Sequence, residues 1–133
     1  MRLSRKSEYA LLALVEMAKL EKENTIRTID ICENCNIPKK YLEQILLLLK
    51  SAGYVKSVRG SSGGYHLAKN PESITVAEII RLIDGPLAPV GSASIYFYEK
   101  TPIEQNAKLL EIMKEIRSYA ATQLEKTTLK DLI

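Results

Sequence analysis

Cysteine is scarce in this chain: 133 residues carry two thiols, Cys32 and Cys35. Two are too few for a secreted disulfide scaffold, so the sequence places the protein in the cytosol. Long hydrophobic runs are also missing. No segment approaches the roughly 18 to 20 apolar residues that span a bilayer, so a membrane is not an expected partner. The first residues, MRLSRKSEYALLALVEMAKLEK, imitate a signal peptide, but Glu16 and Lys19 break the apolar stretch and no small-residue cleavage site follows. There is a single histidine, His66, and it reads as a partly exposed strand residue; two thiolates and one distant imidazole do not complete a zinc site. A nucleophile elbow, a phosphate loop and a carboxylate pair are all lacking, which argues against an enzyme. Gly60, Gly63 and Gly64 join two predicted strands instead of leading into a helix, and so form no P-loop.

What is present is globular, with 46% hydrophobic and 26% charged residues, at a length that fits one domain of ordinary size with an appended arm. Charge divides unevenly. Residues 1–69 hold 12 Lys/Arg against 7 Asp/Glu, and residues 70–133 hold 7 against 9. A basic half joined to a slightly acidic one points to a polyanionic partner for one end.

The spacing of Leu3, Ala10, Leu11, Leu14, Val15 and Ala18 predicts a helix over residues 4–22 with Ser4 as its cap. Thr28 is expected to cap a short second helix reaching Cys35. Pro38 should open a third that runs to Ala52 and stops at Gly53. Tyr54–Val58 and Tyr65–Leu67 alternate like strands around a glycine-rich tip. Ser73 or Thr75 precedes a fourth helix that Gly85-Pro86 ends, and residues 86–102 form a connector in which Ile95–Tyr98 is expected as an extended, partly buried piece. From Ile103 to Leu124, apolar residues at Ile103, Ala107, Leu110, Met113, Ile116, Ala120 and Leu124 predict a long helix of about 22 residues, or roughly 33 Å.

Helix, short helix, tight turn, helix and a two-stranded wing is the order of a winged helix-turn-helix, so the fold expected is mostly α with a small hairpin wing and a long C-terminal helix. The third helix becomes the recognition helix. Its exposed side offers Lys39, Lys40 and Tyr41, then Glu43 and Gln44; the lysines suit phosphates, and Gln and Glu suit the edges of adenine and cytosine. Arg59, Gly60, Ser61, Ser62 and Gly63 form a wing tip where small residues let the backbone approach DNA and the arginine reaches a groove.

The segments MRLSRKSEYALLAL, IPKKYLEQIL, SVRGSSGGYHLAK, ITVAEIIRLIDGPLAPV and TTLKDL together resemble the Rrf2 family of bacterial and archaeal transcription regulators. The resemblance implies a homodimer on a palindromic operator in double-stranded DNA, most simply a repressor, paired through the long helix at Ile103, Leu110, Met113, Ile116, Ala120 and Leu124. Residues 1–84 would be the DNA-binding domain and residues 85–133 the connector and dimerisation helix. Ser4, Lys6 and Tyr9 match the start of the family's first helix, which implies phosphate contacts. Lys39 and Lys40 stand where many relatives carry small polar residues, so the target sequence is expected to differ.

Many family members hold an iron-sulfur cluster on three cysteines in the connector. Here that stretch reads Gly91-Ser-Ala-Ser-Ile-Tyr-Phe-Tyr98, with no thiol, so no cofactor is expected. A metabolite, an enzyme partner or no signal at all remain as alternatives. The Ile95–Tyr98 stretch holds much of the chain's few aromatics, either as an effector pocket or as packing under the long helix. Cys32 and Cys35 read as helix packing, with a thiol-redox switch as the sharper alternative. A protein-docking module with weak DNA binding is the remaining class.

Overall fold

The computed structural model describes residues 1–20, 24–60 and 63–133. The chain runs α1 (Arg5–Ala18), α2 (Thr28–Cys35), α3 (Lys39–Ser51), β1 (Val55–Val58), β2 (Gly64–Leu67), α4 (Val76–Asp84) and α5 (Ala107–Lys126), with short 3-10 turns between them. This is a winged helix-turn-helix continued by a long C-terminal helix.

Helix α1 lies at the centre, its buried side mixing three alanines with larger apolar residues. Ala10, Ala13, Leu14, Met17 and Ala18 are buried, and α2, α3, α4 and β2 all pack on it. Ser4 caps it, its hydroxyl accepting the Ser7 N–H at 3.1 Å. The helix ends at Ala18 with Lys19 as its cap, earlier than the expected residue 22.

In α2 the expected cap is displaced by one residue. Thr28 is the first helical residue, and extended Arg27 precedes it without a side-chain cap, its guanidinium instead binding both carboxylate oxygens of Asp30 at 2.9 and 3.1 Å. Asn36, left-handed at φ 54, reverses the chain after Cys35, and Pro38 delivers it into α3. That makes the turn of the helix-turn-helix three residues long. Gly53 then takes φ +86, which other residues rarely adopt, and ends α3.

Thr75, not Ser73, opens α4. Its hydroxyl accepts the Glu78 N–H while the Glu78 carboxylate accepts the Thr75 N–H, a reciprocal capping box. Helix α4 is shared between two apolar clusters. Ile79 joins Leu14, Ile31, Leu42, Ile45, Leu46 and Leu49 in the main core, whereas Val76, Ala77 and Ile80 face a second cluster with Leu87, packed by Leu3, Leu11 and Leu124.

The chain end comes back to this core. Thr128 bridges to Thr75, the Leu129 N–H donates to the Ile74 carbonyl at 3.0 Å, and the Leu129 side chain is fully buried among the helix-turn-helix residues.

Two expectations about the second half need correction. Ile103 belongs to a 3-10 turn, Pro102–Gln105, and α5 begins only at Ala107 because the Asn106 side chain caps it by accepting the Leu109 N–H at 3.0 Å. Ile95, Tyr96, Phe97 and Tyr98 are neither extended nor partly buried: all four are exposed, Tyr96 at 70%. The connector instead folds on a hydrogen-bond knot. Ser92, buried, accepts the Thr101 N–H and donates to Glu104, both at 2.8 Å, and the Tyr98 hydroxyl donates to the same Glu104 oxygen at 2.8 Å. Arg117 of α5 donates to the Ala93 carbonyl at 2.9 Å, tying the knot to the long helix. Polar pairing thus holds the backbone of the loop and leaves its aromatic side chains outside.

Candidate nucleic-acid interface

Helix α3 separates two chemistries by its own periodicity. Leu42, Ile45, Leu46 and Leu49 are fully buried, while Lys39, Lys40, Tyr41, Glu43 and Gln44 are exposed on the opposite side. At about 100° per residue, Lys40 and Gln44 fall within about 40° of one another on the outer line. Lys39 sits 3.9 Å from Glu43, one turn away. Such an exposed pair is weak and parts readily for phosphate.

Tyr41 also joins α3 to α1. Its ring meets Tyr9 edge-on, 5.9 Å between centroids and 64° between planes, so the N-terminal turns of the two helices form one surface. Lys6 is exposed on the first turns of α1. Ser4 is engaged otherwise: its N–H donates to Asp84 at 2.9 Å, and its hydroxyl donates to the other oxygen of that carboxylate. The positive end of α1 therefore already holds an anion, from the last residue of α4.

The wing is a four-residue ladder, Val55 opposite Leu67, Lys56 opposite His66, Ser57 opposite Tyr65 and Val58 opposite Gly64. Arg59 and Gly60 project exposed at its tip, Gly60 with φ +111. Gly63 turns back close underneath, its N–H donating to the Gly60 carbonyl at 3.0 Å, and any side chain there would collide with the carbonyl oxygens of Val58 and Gly60. Ser61 and Ser62 lie outside the described residues. The root of the wing is anchored by Ile26, which exchanges two 2.9 Å backbone hydrogen bonds with Tyr65; a Cβ at Gly64 would strike the Ile26 backbone. The wing is thus stitched to the strand-like segment that leads into α2.

Cys32 and Cys35 are free thiols, partly buried against the main core. Burial is the largest influence on both and pushes each thiol above its ordinary value, against thiolate formation. His66 is half-buried in β2, its Nδ1 2.9 Å from the Leu67 carbonyl.

In the connector, Arg81 lies over the Tyr96 ring at 5.0 Å, and the space between them, Phe97 and Arg117 is about 20 Å³. That is small beside metabolite sites, which run to roughly 300 Å³ and above.

Some features escaped the sequence reading. Leu47 stands exposed at 62% on the outer line of α3, and Leu109, Ile112 and Tyr119 join the expected Ile116 in an exposed apolar stripe on α5. The residues Leu110, Met113, Ala120 and Leu124 are instead half-buried towards the chain's own body. The first of these features was latent in the periodicity, since four consecutive leucines at 46–49 cannot all face inward.

The family model for Rrf2, described as an iron-dependent transcriptional regulator, matches residues 3–133. The HTH-type transcriptional regulator CymR of Bacillus subtilis is 38% identical over 132 residues, covering 99% of this chain and 89% of that protein. The solved structure of CymR, described as the global cysteine regulator of B. subtilis, superposes with TM-score 0.78 at 34% identity, covering 99% of this chain and 95% of that one. The structure of T. potens IscR superposes with TM-score 0.76 at 28% identity, covering 99% and 85%.

The word iron in that description invites a test against the residues present. The connector presents Ser92, Ser94, Tyr96 and Tyr98, with Glu104 as the carboxylate of the knot, and both cysteines of the chain lie in α2. Among the described residues, no three His, Cys, Asp or Glu side chains gather as a metal site would require. These donors do not fit an iron-sulfur cluster, which thiolates hold.

Proposed function

The chain belongs to the Rrf2 family of helix-turn-helix transcription regulators, a family of DNA-binding proteins rather than enzymes, and from that premise we propose that it is a homodimeric repressor acting on a palindromic operator in the cytoplasm, with no iron-sulfur cofactor. The observation that carries the reading is α3, fully buried along one side and lined with Lys39, Lys40, Tyr41, Glu43 and Gln44 along the other. Lys39 and Lys40 bind phosphates, Glu43 and Gln44 select bases, and Arg59 with Gly60, Ser61, Ser62 and Gly63 follows the minor groove. Lys6 and Tyr9 contact the backbone beside α3. Ser4 contributes by capping α1, since its donors already serve Asp84.

In this proposal residues 1–84 meet DNA and residues 85–133 pair the protomers. Ile116 is exposed at 49% on α5 and continues into Leu109, Ile112 and Tyr119, which step by three and four along one face. Pairing over that stripe also covers the neighbouring Leu110, Met113 and Ala120, while Leu124 packs the second cluster and Ile103 lies just before the helix. Among the described residues no helix is long and apolar enough to cross a membrane.

A metabolite or an enzyme partner supplies the signal. The B. subtilis relative is described as a global cysteine regulator, so cysteine supply is the first signal to test. Light scattering on purified protein, with selection of binding sites from random DNA, tests the proposal. A dimer that recovers an inverted repeat of about two helical turns is expected. A monomer, or a single asymmetric motif, overturns the dimer on a palindrome. Ile116→Asp is expected to give a folded monomer with weakened DNA binding.

A further inference from the structure

We propose that Leu47 is a specificity-determining residue that seats its side chain against the C5-methyl of a thymine in the major groove. The inference rests on α3 being the helix that enters the groove. Leu47 is 62% exposed, more than any other large hydrophobic residue described in the winged half, whereas Leu46 and Leu49 beside it are fully buried. A lone exposed leucine is ordinary on a protein surface. What distinguishes this one is its place: seven residues beyond Lys40, it lies within about 20° of Lys40 around the helix and about 10 Å further along it. It therefore sits on the middle of the line that Lys40, Gln44 and Ser51 share, with Lys50 one turn on. Charge complementarity around it selects a polyanion as the occupant of this face, not an apolar helix.

Thymine alone among the bases offers a methyl group in the major groove; adenine, guanine and cytosine offer polar atoms at the corresponding edges. Leucine has neither donor nor acceptor. Placed over thymine it removes two apolar groups from water, and placed over another base it strips water from polar atoms with nothing in return. Attraction and rejection thus favour the same base.

The test uses the full chain and the operator selected by the wild-type protein. Each thymine of a half-site is replaced in turn by deoxyuridine, which lacks only the methyl. One replacement is expected to weaken wild-type binding about fourfold, the scale of one buried methyl. Leu47→Ala is expected to weaken binding to the unmodified site by at least as much and to be indifferent to that replacement. Leu47→Met, which keeps the apolar reach, should retain the response, and matching circular dichroism melts show that the exposed substitutions leave the fold intact. If wild type ignores every deoxyuridine, or if Leu47→Ala responds to it as wild type does, the assignment of Leu47 is overturned while the role of α3 stands. If wild type selects no sequence at all, the reading of α3 fails and takes Leu47 with it.

Discussion

Asp84, the last residue of α4, accepts hydrogen bonds from both the N–H and the hydroxyl of Ser4, the cap of α1, across 80 residues of sequence. The carboxylate closes the positive end of α1 and ties the helix that leads into the connector to the helix on which the DNA-binding half is built. Partial burial works against its ionisation, but the Ser4 hydrogen bonds prevail and hold the carboxyl below its ordinary value.

Loss of this contact should therefore be visible in stability and in its pH dependence. Ser4→Ala removes the cap and is expected to cost about 1 kcal/mol in denaturant unfolding. Asp84→Asn should cost less at neutral pH. Because the folded carboxyl is depressed, its stabilisation is present above the ordinary carboxyl range and is lost as pH falls through the folded value. The gap between wild type and Asp84→Asn should accordingly close below about pH 4. A gap that persists in acid would assign the effect to packing instead.

Arg59 and Lys40 should fail in different ways. Arg59→Ala is expected to lower specific affinity by about tenfold or more while leaving the oligomeric state unchanged. Lys40→Ala should weaken binding to all sequences alike and reduce the slope of log affinity against log salt by about one. Anisotropy titrations over a salt series separate the two. An unchanged affinity for Arg59→Ala removes the wing from the mechanism.

Tyr54, at the foot of the wing, donates its hydroxyl to Glu78 of α4 at 2.7 Å and lies under the Lys69 ammonium at 4.5 Å. Burial, then the hydrogen bond to Glu78, pushes its phenol up to about 12 from 10.0. In a spectroscopic titration of the seven tyrosines, the ionisation near 12 should disappear in Tyr54→Phe. The raised value means that the stabilisation is complete below the ordinary tyrosine range and is lost as pH rises towards about 12. Tyr54→Phe is expected to cost about 1.5 kcal/mol at neutral pH, since a hydrogen bond to a charged acceptor is lost.

Cys32 and Cys35 are expected to be poor redox sensors, because burial pushes both thiols up and disfavours the reactive thiolate. Peroxide should leave DNA binding of the wild type and of the Cys32→Ser/Cys35→Ser double variant equally unaffected. A wild type that releases DNA under peroxide while the double variant holds it would establish the thiol switch.

The legible features are the ones encoded over a few residues. The boundaries of α2 and α3 fell within one residue of expectation, and those of α3 did so because Pro38 and Gly53 act on their own backbone dihedrals. The wing was legible from a glycine-rich tip between alternating stretches, and its Gly63 proves to be required by the carbonyls it passes. Ile103 was misplaced for a local reason as well: the seam continued through it, but Asn106 offers a better cap.

Sequence alone determined the helix-turn-helix order, the polar outer face of α3, the family, and the absence of thiols from the connector. The family rests on motifs that resemble it along the chain; the other three are properties of composition or of short-range periodicity. Only the tertiary structure decided which of the apolar stripes on α5 turns towards its own chain, that the Ser92–Glu104 knot leaves Tyr96 outside, that Leu129 returns to the first core, and that Asp84 reaches Ser4. Periodicity says that a face is apolar; what covers it depends on residues brought near by the whole fold, a relation that no short window of sequence contains.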